Sequence, residues 1–345
     1  MTIRLDWRVL GAVGVVATLM LTVGLSAPTP APTPTVAPAP TVAPAPTVAP
    51  SPTPAPTPAP TLATSVRVTS IPALLTALAD NTMTDIVVAN GTYRVSPASS
   101  QASNSLWIGA RYAGRTRPVT VRAETRGGVT FDGGGTTYFG CIYFEAGAHD
   151  QTWDGFTCAN GQATQTGVVL FGGAASPGSA YDAPGPHHIT MRYITIARTC
   201  TGRATTASGS TWDHAIYISQ ALGTGPHDLL FEDITVDGRG GLASAVHFDH
   251  ADSTHPNASN VIVRRLHVTG TQQAIILWDV PLRNITFDTA DITGALAVAV
   301  RYEAAGATGI TFKNITSTGS GSGSGFYSNL GTNPPDVTFS NNSFH

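Results

Sequence analysis

The stretches Ile285-Thr286-Phe287, Ile310-Thr311-Phe312 and Val337-Thr338-Phe339 decide the fold class of this 345-residue chain. Their first residues are 25 and 27 positions apart. Similar triplets occur at 189–191, 229–231 and 261–263. Each triplet alternates its side chains between two faces, and β-branched residues fit a half-buried strand. A period of this length is typical of one coil of a β-solenoid, in which each coil buries its inner face against its neighbours.

Two further short strands follow most of these triplets. The second has the form Ile194-Thr195-Ile196, and the third has the form Ala245-Val246-His247-Phe248 after a polar or glycine-rich turn. Apolar residues recur at period two, and the segments are too short for helices. The sequence therefore predicts an all-β fold, a right-handed parallel β-helix.

One segment of the chain has the pattern of a helix. It runs from Ser70 to about Asp80, with Ser70 as the N-cap and Leu74, Leu75 and Leu78 on one face. An uncovered end of a solenoid would expose unpaired strand edges. We therefore expect an N-terminal helix that caps the first coil.

The composition argues against nucleic acid as a partner. Only 11% of the residues are charged, the net charge is −3, and the only lysine is Lys313. The chain therefore has no basic stripe that would neutralise phosphates.

The first 62 residues differ in composition from the rest of the chain. Arg4 and Arg8 precede an apolar run from Val9 to Leu25, so residues 1–27 are predicted to be a secretory signal peptide or a retained membrane anchor. Residues 28–62 are rich in Pro, Ala and Thr, which favours a polyproline II linker of roughly 100 Å. The β-helix domain is predicted at 63–345. The protein is accordingly expected to be secreted or anchored at the cell surface.

Three cysteines, Cys141, Cys158 and Cys200, fall in the predicted domain. The strand alignment gives Cys158 the inward position that Ile196 and Val236 hold in later coils. Two interpretations stay open: a buried core thiol, or a disulfide between Cys158 and Cys200. The spacing of the cysteines does not fit a zinc site.

Several scaffold segments resemble a known group of proteins. They are Asp85–Tyr93 (Asp-Ile-Val-Val-Ala-Asn-Gly-Thr-Tyr), Arg117–Ala123, Gly128–Gly133 and Trp153–Thr157. Their order after a cap helix is similar to that in right-handed parallel β-helix proteins of the pectin-lyase-like superfamily. Within it, the chain looks most like polysaccharide lyases of the chondroitinase B and alginate lyase kind, over roughly residues 66–345.

This resemblance implies a protein that acts on polysaccharides, commonly by β-elimination of uronic acid polymers. In those lyases a lysine serves as the base, with an arginine nearby. Here Lys313 lies in a late coil and has the pattern of an exposed strand residue, so the lysine base is not carried over to this chain. The paired aspartates and Gly-His-Gly motif of the polygalacturonase type are also missing.

The third strands place several polar and aromatic residues on one outward face. Their inward pairs are predicted to be Ile216/Ile218, Val246/Phe248, Ile275/Leu277 and Val298/Val300. One outward column then contains Tyr217, His247, Ile276 and Ala299. The next contains Ser219, Asp249, Trp278 and Arg301. Equivalent positions in adjacent coils stack at about 5 Å, so this face is the predicted site.

Four of these residues are the catalytic candidates. His247 can remove a proton, Tyr217 can donate one, and Arg301 can pair with a uronate carboxylate. Asp249 would orient His247 or Arg301, and Trp278 would offer a sugar ring an aromatic face. Ordinary alternatives are that Tyr217 is a surface aromatic and that Arg301 forms an exposed ion pair with Glu303.

Further residues are predicted to border the site as substrate-binding residues. They are His250, Asp279, His214 and Asp213. Strand alternation would point His214 inward or leave it at a turn. Asp249 with Asp279 or Asp237 could instead form a glycosidase pair or bind calcium, the one cofactor considered. His187-His188 and His227-Asp228 fit the repeat and are interpreted as structural, with metal binding as the alternative.

The sequence thus predicts a monomeric, exported protein whose partner is an acidic polysaccharide, and a lyase is the favoured activity. One alternative is a non-catalytic surface carbohydrate-binding or adhesin module, which the missing lysine favours. Others are a uronate C5-epimerase, which would use the same acid and base, and a glycoside hydrolase.

Overall fold

The computed structural model describes residues 64–96, 104–109, 112–134, 141–161, 167–172, 184–197, 213–219, 225–239, 241–249, 258–278, 282–321, 325–331, 334 and 336–345. The predicted signal or anchor, the linker, Cys200, His250 and Asp279 lie outside these residues. The domain boundaries given above therefore stay predictions.

The described residues form one helix and 23 strands. The helix, α1, is Ile71–Ala79. The strands are β1 Thr64–Val68, β2 Met83–Val88, β3 Gly91–Arg94, β4 Trp107–Ile108, β5 Val119–Ala123, β6 Val129–Asp132, β7 Ile142–Phe144, β8 His149–Asp154, β9 Phe156–Ala159, β10 Gly167–Phe171, β11 His187–Arg192, β12 Thr195–Ala197, β13 His214–Ile218, β14 His227–Asp237, β15 Ser244–Phe248, β16 Ser259–Thr269, β17 Gln273–Trp278, β18 Arg283–Thr293, β19 Val298–Glu303, β20 Ile310–Thr318, β21 Phe326–Ser328, β22 Val337–Ser340 and β23 Ser343–Phe344.

The strands form two parallel sheets, and from β3 onward the chain passes from one to the other in each successive coil. A larger sheet of 15 strands contains β8, β11, β14, β16, β18 and β20 in succession. A smaller sheet of eight strands has the order β4, β7, β10, β13, β15, β17, β19, β21. Each strand of the smaller sheet pairs with the equivalent strand one coil away. This is a parallel β-helix, and the predicted fold class is confirmed.

The core lies between the sheets and is built from the alternation predicted by the sequence. In β16, Val261, Val263, Leu266 and Val268 are buried while Ile262 is exposed. Aromatic rings continue this alternation from coil to coil. Phe287 stacks on Phe312 with centroids 5.4 Å apart, and Phe312 stacks on Phe339 at 5.7 Å. Each coil therefore buries its apolar face against the next one, as a solenoid requires.

The turns of the larger sheet repeat one backbone conformation. Asn260 and Asn284, at equivalent positions of adjacent coils, both have φ of 54°, and asparagine tolerates this left-handed region better than most residues. The Asn284 side chain donates to the Asn260 amide oxygen at 2.9 Å, and Asn260 donates to Asp228 at 3.0 Å. These side chains therefore form a short ladder of hydrogen bonds from coil to coil.

The predicted helix is present with the predicted N-cap. The Ser70 hydroxyl accepts a hydrogen bond from the backbone N–H of Ala73 at 3.3 Å. Leu74 and Leu78 are fully buried in the same core cluster as the strands. That α1 covers the end of the coil stack stays a prediction.

Cys158 occupies the inward strand position predicted for it, paired with Ile196. Cys158 and Cys141 are both buried and unbridged. A hydrogen bond with Cys141, followed by burial, raises the pKa of Cys158 well above its ordinary value. The alternative bridge to Cys200 concerns a residue outside the described part of the chain.

The first residues of three neighbouring strands of the larger sheet, β8, β11 and β14, are histidines that stack on each other. The His187 ring lies parallel to His227 with centroids 4.9 Å apart, and His149 stacks on its other side at 5.3 Å. The Nδ1 atoms of His187 and His227 form hydrogen bonds with the carbonyl oxygens of Gly185 and Gly225. These contacts agree with the structural interpretation of the histidines.

No helix in the described ranges is long and apolar enough to cross a membrane.

Candidate functional site

The outward face of the smaller sheet brings together side chains from four consecutive coils. Tyr217 on β13 pairs with His247 on β15, His247 pairs with Ile276 on β17, and Ile276 pairs with Arg301 on β19. We call this the His247 column. Parallel pairing at these positions places the residues of adjacent coils about 4.8 Å apart.

The His247 column points outward because its strand neighbours fill the core. Val246 and Phe248 are fully buried within the core cluster, as are Ile216 and Ile218. His247 is only 2% exposed, but it contacts polar and aromatic residues on the outer side of the sheet. The inward and outward positions predicted for β13, β15 and β17 are therefore correct.

The predicted position of Arg301 was wrong by one column. The sequence alignment put Val298 and Val300 inward and Ala299 beside Ile276, whereas the structure pairs Val300 with Ile275 and Arg301 with Ile276. Tyr302 is the second inward residue of this strand, and its hydroxyl donates to the carbonyl of Ala304 at 3.1 Å. Because the error is two residues, Arg301 still faces outward.

The prediction that His214 points inward or lies at a turn was also wrong. Alternation fails at this point because Ala215 and Ile216, which are adjacent in sequence, both belong to the core. His214 consequently lies with the outward group. Its ring stacks on Tyr217, with centroids 5.1 Å apart and an interplanar angle of 5°.

His214 connects two side chains through its two ring nitrogens. Its Nδ1 is 2.7 Å from the Ser244 hydroxyl, and its Nε2 is 2.9 Å from Nδ1 of His247. Burial first, and then the charge of His247, lower the pKa of His214 well below its ordinary value. His214 is therefore neutral near pH 7 and must donate through one nitrogen and accept through the other.

His247 is the residue on which the contacts of the site converge. Tyr217 and Trp278 lie on either side of its ring, with centroids 5.1 and 6.0 Å away. Burial, followed by the positive charge of Arg301, lowers the pKa of His247 to about 3. Its Nε2 is buried and has no hydrogen-bond partner among the described residues. A buried ring nitrogen without a partner is costly in a structural histidine.

Tyr217 is held in its protonated form. Burial, followed by the charge of Asp249 and a hydrogen bond with it, raises the pKa of Tyr217 far above its ordinary value. Asp249 also accepts a hydrogen bond from the Ser219 hydroxyl at 3.3 Å. The structure thus associates Asp249 with Tyr217, whereas the sequence suggested His247 or Arg301 as its partner.

Arg301 lies at the far end of the site and has two partners. Its Nη2 atom is 2.9 Å from Glu303, and its guanidinium lies over the Trp278 ring at 5.1 Å from the centroid. Neither side chain of the ion pair is strongly exposed, at 23% for Arg301 and 8% for Glu303. The expectation of an exposed ion pair is therefore wrong, although the pair itself is present.

The remaining candidates divide into those that the structure places and those that it does not. Asp213 is fully buried immediately before His214. His250 and Asp279 lie outside the described residues. Asp237 ends β14 in the larger sheet and pairs with Arg239 at 2.7 Å, so it does not lie beside Asp249 in the smaller sheet.

Ser244 is the site residue that sequence reasoning missed. Strict alternation back from Val246 assigns it to the inward face, where a serine carries no functional signal. One feature of the sequence could have predicted this break in alternation. Alanine precedes the first inward apolar residue in several third strands, at Ala215, Ala245, Ala274 and Ala299.

Within the described ranges, no group of three or more His, Cys, Asp or Glu side chains is arranged to hold a metal ion. Lys313 is on β20 of the larger sheet, 2.9 Å from Asp288. A cavity of about 400 Å³ also lies on the larger sheet, lined by residues that include Leu230, Ile262 and Asn284. The buried Nε2 atom of His247, which has no partner among the described residues, lies on the smaller sheet, so we assign the candidate site to the His247 column.

Comparisons with known proteins returned structures but no sequence relatives. No protein-family model matches the chain, and no curated protein matches it. Among solved structures, an alginate lyase from Paenibacillus sp. str. FPU-7 is similar over 81% of this chain and 99% of its own, with 13% identity and a TM-score of 0.39. The A-module of the mannuronan C-5 epimerase AlgE4 from Azotobacter vinelandii covers 79% of this chain and 90% of its own, with 12% identity and a TM-score of 0.35.

A third similar structure is the catalytic domain of a GH87 alpha-1,3-glucanase in complex with nigerose. It shares 14% identity, covers 84% of this chain and 70% of its own, and has a TM-score of 0.29. The three proteins carry three different activities. The assignment of the parallel β-helix fold rests on the strand pairing described above, and the activity of this chain has to be argued from its own site.

Proposed function

We propose that this protein is a polysaccharide lyase that cleaves uronate-containing chains by β-elimination. The observation that carries the proposal is the buried Nε2 atom of His247, which has no partner among the described residues and belongs to a ring flanked by Tyr217 and Trp278. A base of this reaction needs a free lone pair within reach of the sugar, in a site that excludes water. The lowered pKa of His247 keeps this lone pair unprotonated at neutral pH.

Two residues of the site can carry the two proton transfers of the elimination. His247 Nε2 takes the proton from C5, and the electron pair of that bond forms the C4–C5 double bond. The C4–O4 bond breaks, and the Tyr217 hydroxyl gives its proton to the departing oxygen. The phenol of Tyr217 is protonated at neutral pH, as a proton donor in this step must be.

Arg301 supports a uronate substrate in particular. Removal of the C5 proton places negative charge on the adjacent carboxylate, which a guanidinium stabilises. Glu303 already pairs with Nη2 of Arg301. The buried Nε atom of Arg301 has no partner in the described part of the chain. A substrate carboxylate would also offset the effect of Arg301 on His247 and strengthen the base.

The setting of this activity is part of the proposal. A signal peptide or anchor at 1–27 and a proline-rich linker at 28–62 would place a monomeric β-helix outside the cell, where acidic polysaccharides are found. The site takes no metal in this scheme, since Arg301 supplies the positive charge.

The test is to incubate the full chain with pectate, alginate and glycosaminoglycans. New unsaturated ends that absorb in the ultraviolet are the expected product. His247→Gln should lower their initial rate by about 10²- to 10⁴-fold, the usual contribution of a general base. The matched control is His267→Gln, because His267 is an exposed histidine on β16 in the larger sheet that pairs with Asp291.

Other products would overturn the proposal. Altered uronate composition without chain shortening would indicate an epimerase, and glycan retention without turnover would indicate a binding module. Full activity of His247→Gln would exclude His247 as the base.

A glycoside hydrolase is the second candidate, and one observation favours it. Phe248 pairs with Leu277 and Leu277 with Tyr302, so the following residues Asp249, Trp278 and Glu303 occupy equivalent positions in three coils. The two carboxylates are thus two coils apart, about 10 Å along the stack. This is close to the separation typical of inverting hydrolases. Reducing ends without ultraviolet absorbance would support it.

A further inference from the structure

Three buried side chains form a continuous hydrogen-bonded chain that ends at the candidate base. Ser244 Oγ is 2.7 Å from Nδ1 of His214, and His214 Nε2 is 2.9 Å from Nδ1 of His247. Ser244 and His214 are fully buried, and His247 is 2% exposed. Water therefore does not compete with these hydrogen bonds.

Such a chain has only two consistent arrangements of its protons. Each neutral imidazole has one donor nitrogen and one acceptor nitrogen. In the first arrangement, Nδ1 of His247 donates to His214, Nδ1 of His214 donates to Ser244, and Nε2 of His247 carries a lone pair. In the second arrangement, Ser244 donates to His214, His214 donates to His247, and Nε2 of His247 carries the proton. Only the first leaves His247 able to act as a base.

The charge of the site favours the first arrangement. Nδ1 of His247 is directed to His214 on β13, whereas Arg301 lies on β19, on the other side of β15. The positive charge of Arg301 acts on His247, as the shift in its pKa indicates. A lone pair toward a cation is favourable, and an N–H toward it is not. Of the two carboxylates nearby, Asp249 pairs with Tyr217, and Glu303 pairs with Arg301 at 2.9 Å.

We propose that Ser244 and His214 are positioning residues that hold the ring proton of His247 on Nδ1, so that its Nε2 lone pair faces the substrate. Ser244 acts by accepting from His214, which fixes the donor and acceptor nitrogens of both histidines. The catalytic value of this arrangement rests on the proposed lyase function. The arrangement of protons itself rests on the hydrogen-bonded chain and on the charge of Arg301, and not on the proposed function.

The experiment measures the tautomer directly. In the full chain labelled with ¹⁵N at histidine, two-bond proton–nitrogen NMR correlations distinguish a protonated Nδ1 from a protonated Nε2, and His247→Gln identifies the His247 signals. We expect His247 to carry its proton on Nδ1. Ser244→Ala removes the acceptor of His214, so the proton of His247 should shift toward Nε2. Ser244→Thr retains a hydroxyl and should keep the wild-type pattern.

Activity provides the second measurement. With Ser244→Ala, kcat for the polysaccharide that the wild type cleaves should fall by about tenfold or more, because the base is then partly in the wrong protonation state. KM should change little, and Ser244→Thr should restore kcat.

Two NMR results would overturn the inference. One is a wild-type His247 protonated on Nε2, which needs no variant and so is unaffected by folding defects. The other is a Ser244→Ala protein whose His247 signals are unchanged. If no polysaccharide is turned over, the lyase proposal fails, while the tautomer still decides whether the proton order inferred here is correct.

Discussion

At the scale of single residues, the site combines groups whose environments pull their pKa values in opposite directions. Burial lowers the pKa of His247 and raises that of Tyr217, so that both are neutral at the same pH. A neutral histidine can accept a proton, and a neutral phenol can donate one. Pairs of this kind are typical of acid and base catalysis.

Tyr217→Phe tests the acid role without disturbing the packing. The phenyl ring can keep its stacking on His214, while the hydroxyl that interacts with Asp249 is lost. We expect the elimination rate to fall by about 10²-fold or more, the lower range for a general acid, while a cooperative thermal unfolding transition shows that the variant is folded. The rate is measured by the absorbance of unsaturated ends. An unchanged rate would assign the proton donor to another group.

Cys141 and Cys158 should be inert in the native protein. Both are buried, and the raised pKa of Cys158 keeps its thiol protonated, whereas thiol reagents need the thiolate. In a Cys200→Ser variant without reductant, we expect no reaction with an aromatic disulfide reagent until urea is added, when two thiols react. The absence of reactive thiols in urea would show that the two cysteines are bridged.

At the scale of the elements, the sequence predicted the strands well because each one repeats the same inward and outward pattern. Tyr217 and His247 were correctly aligned, since each lies between two apolar residues that fit only the core. The register of β19 was not predictable in this way. Ala297-Val298-Ala299-Val300 is nearly unchanged when it slides by two residues, so alternation alone cannot choose between the alignments.

The hydrogen bonds that connect Ser244 with His247 through His214 also could not be predicted from alternation. The small residues Ala215 and Ala245 let two consecutive positions enter the core, which turns His214 and Ser244 to the outer side. Alternation places both on the wrong face. The residues of the site that follow period two, such as Tyr217 and His247, were therefore predictable. Those that break it, His214 and Ser244, were not.

The aromatic stack between coils gives a stability prediction for the element scale. Phe312 is fully buried between Phe287 and Phe339. Phe312→Ala should lower the free energy of unfolding by about 3–5 kcal/mol, because the stacked coils cannot close the cavity that the lost ring leaves. The free energy of unfolding is measured with urea. The control is Thr311→Ala on the outer face of the same strand. This variant should lower the free energy of unfolding by less than about 1 kcal/mol. Similar losses for both variants would contradict the assigned core.

At the scale of the whole molecule, the buried histidines couple the stability of the fold to pH. His214 and His247 have lowered pKa values in the folded state, and so does His187 in the stack of the larger sheet. Unfolding returns each of them to an ordinary value near 6.5. Below that pH the unfolded chain binds more protons than the folded chain, so stability is complete above pH 6.5 and is lost as the pH falls.

We therefore expect the protein to lose stability between pH 7 and pH 5, a range in which ordinary aspartates and glutamates stay ionised. At pH 5, each fully buried histidine should lower the free energy of unfolding by at most about 2 kcal/mol. The measurement is the free energy of unfolding in urea at both pH values. His247→Gln should show a smaller loss, and His267→Gln should match the wild type because His267 is exposed. Equal losses in all three proteins would mean that the fold does not hold His247 neutral at pH 5.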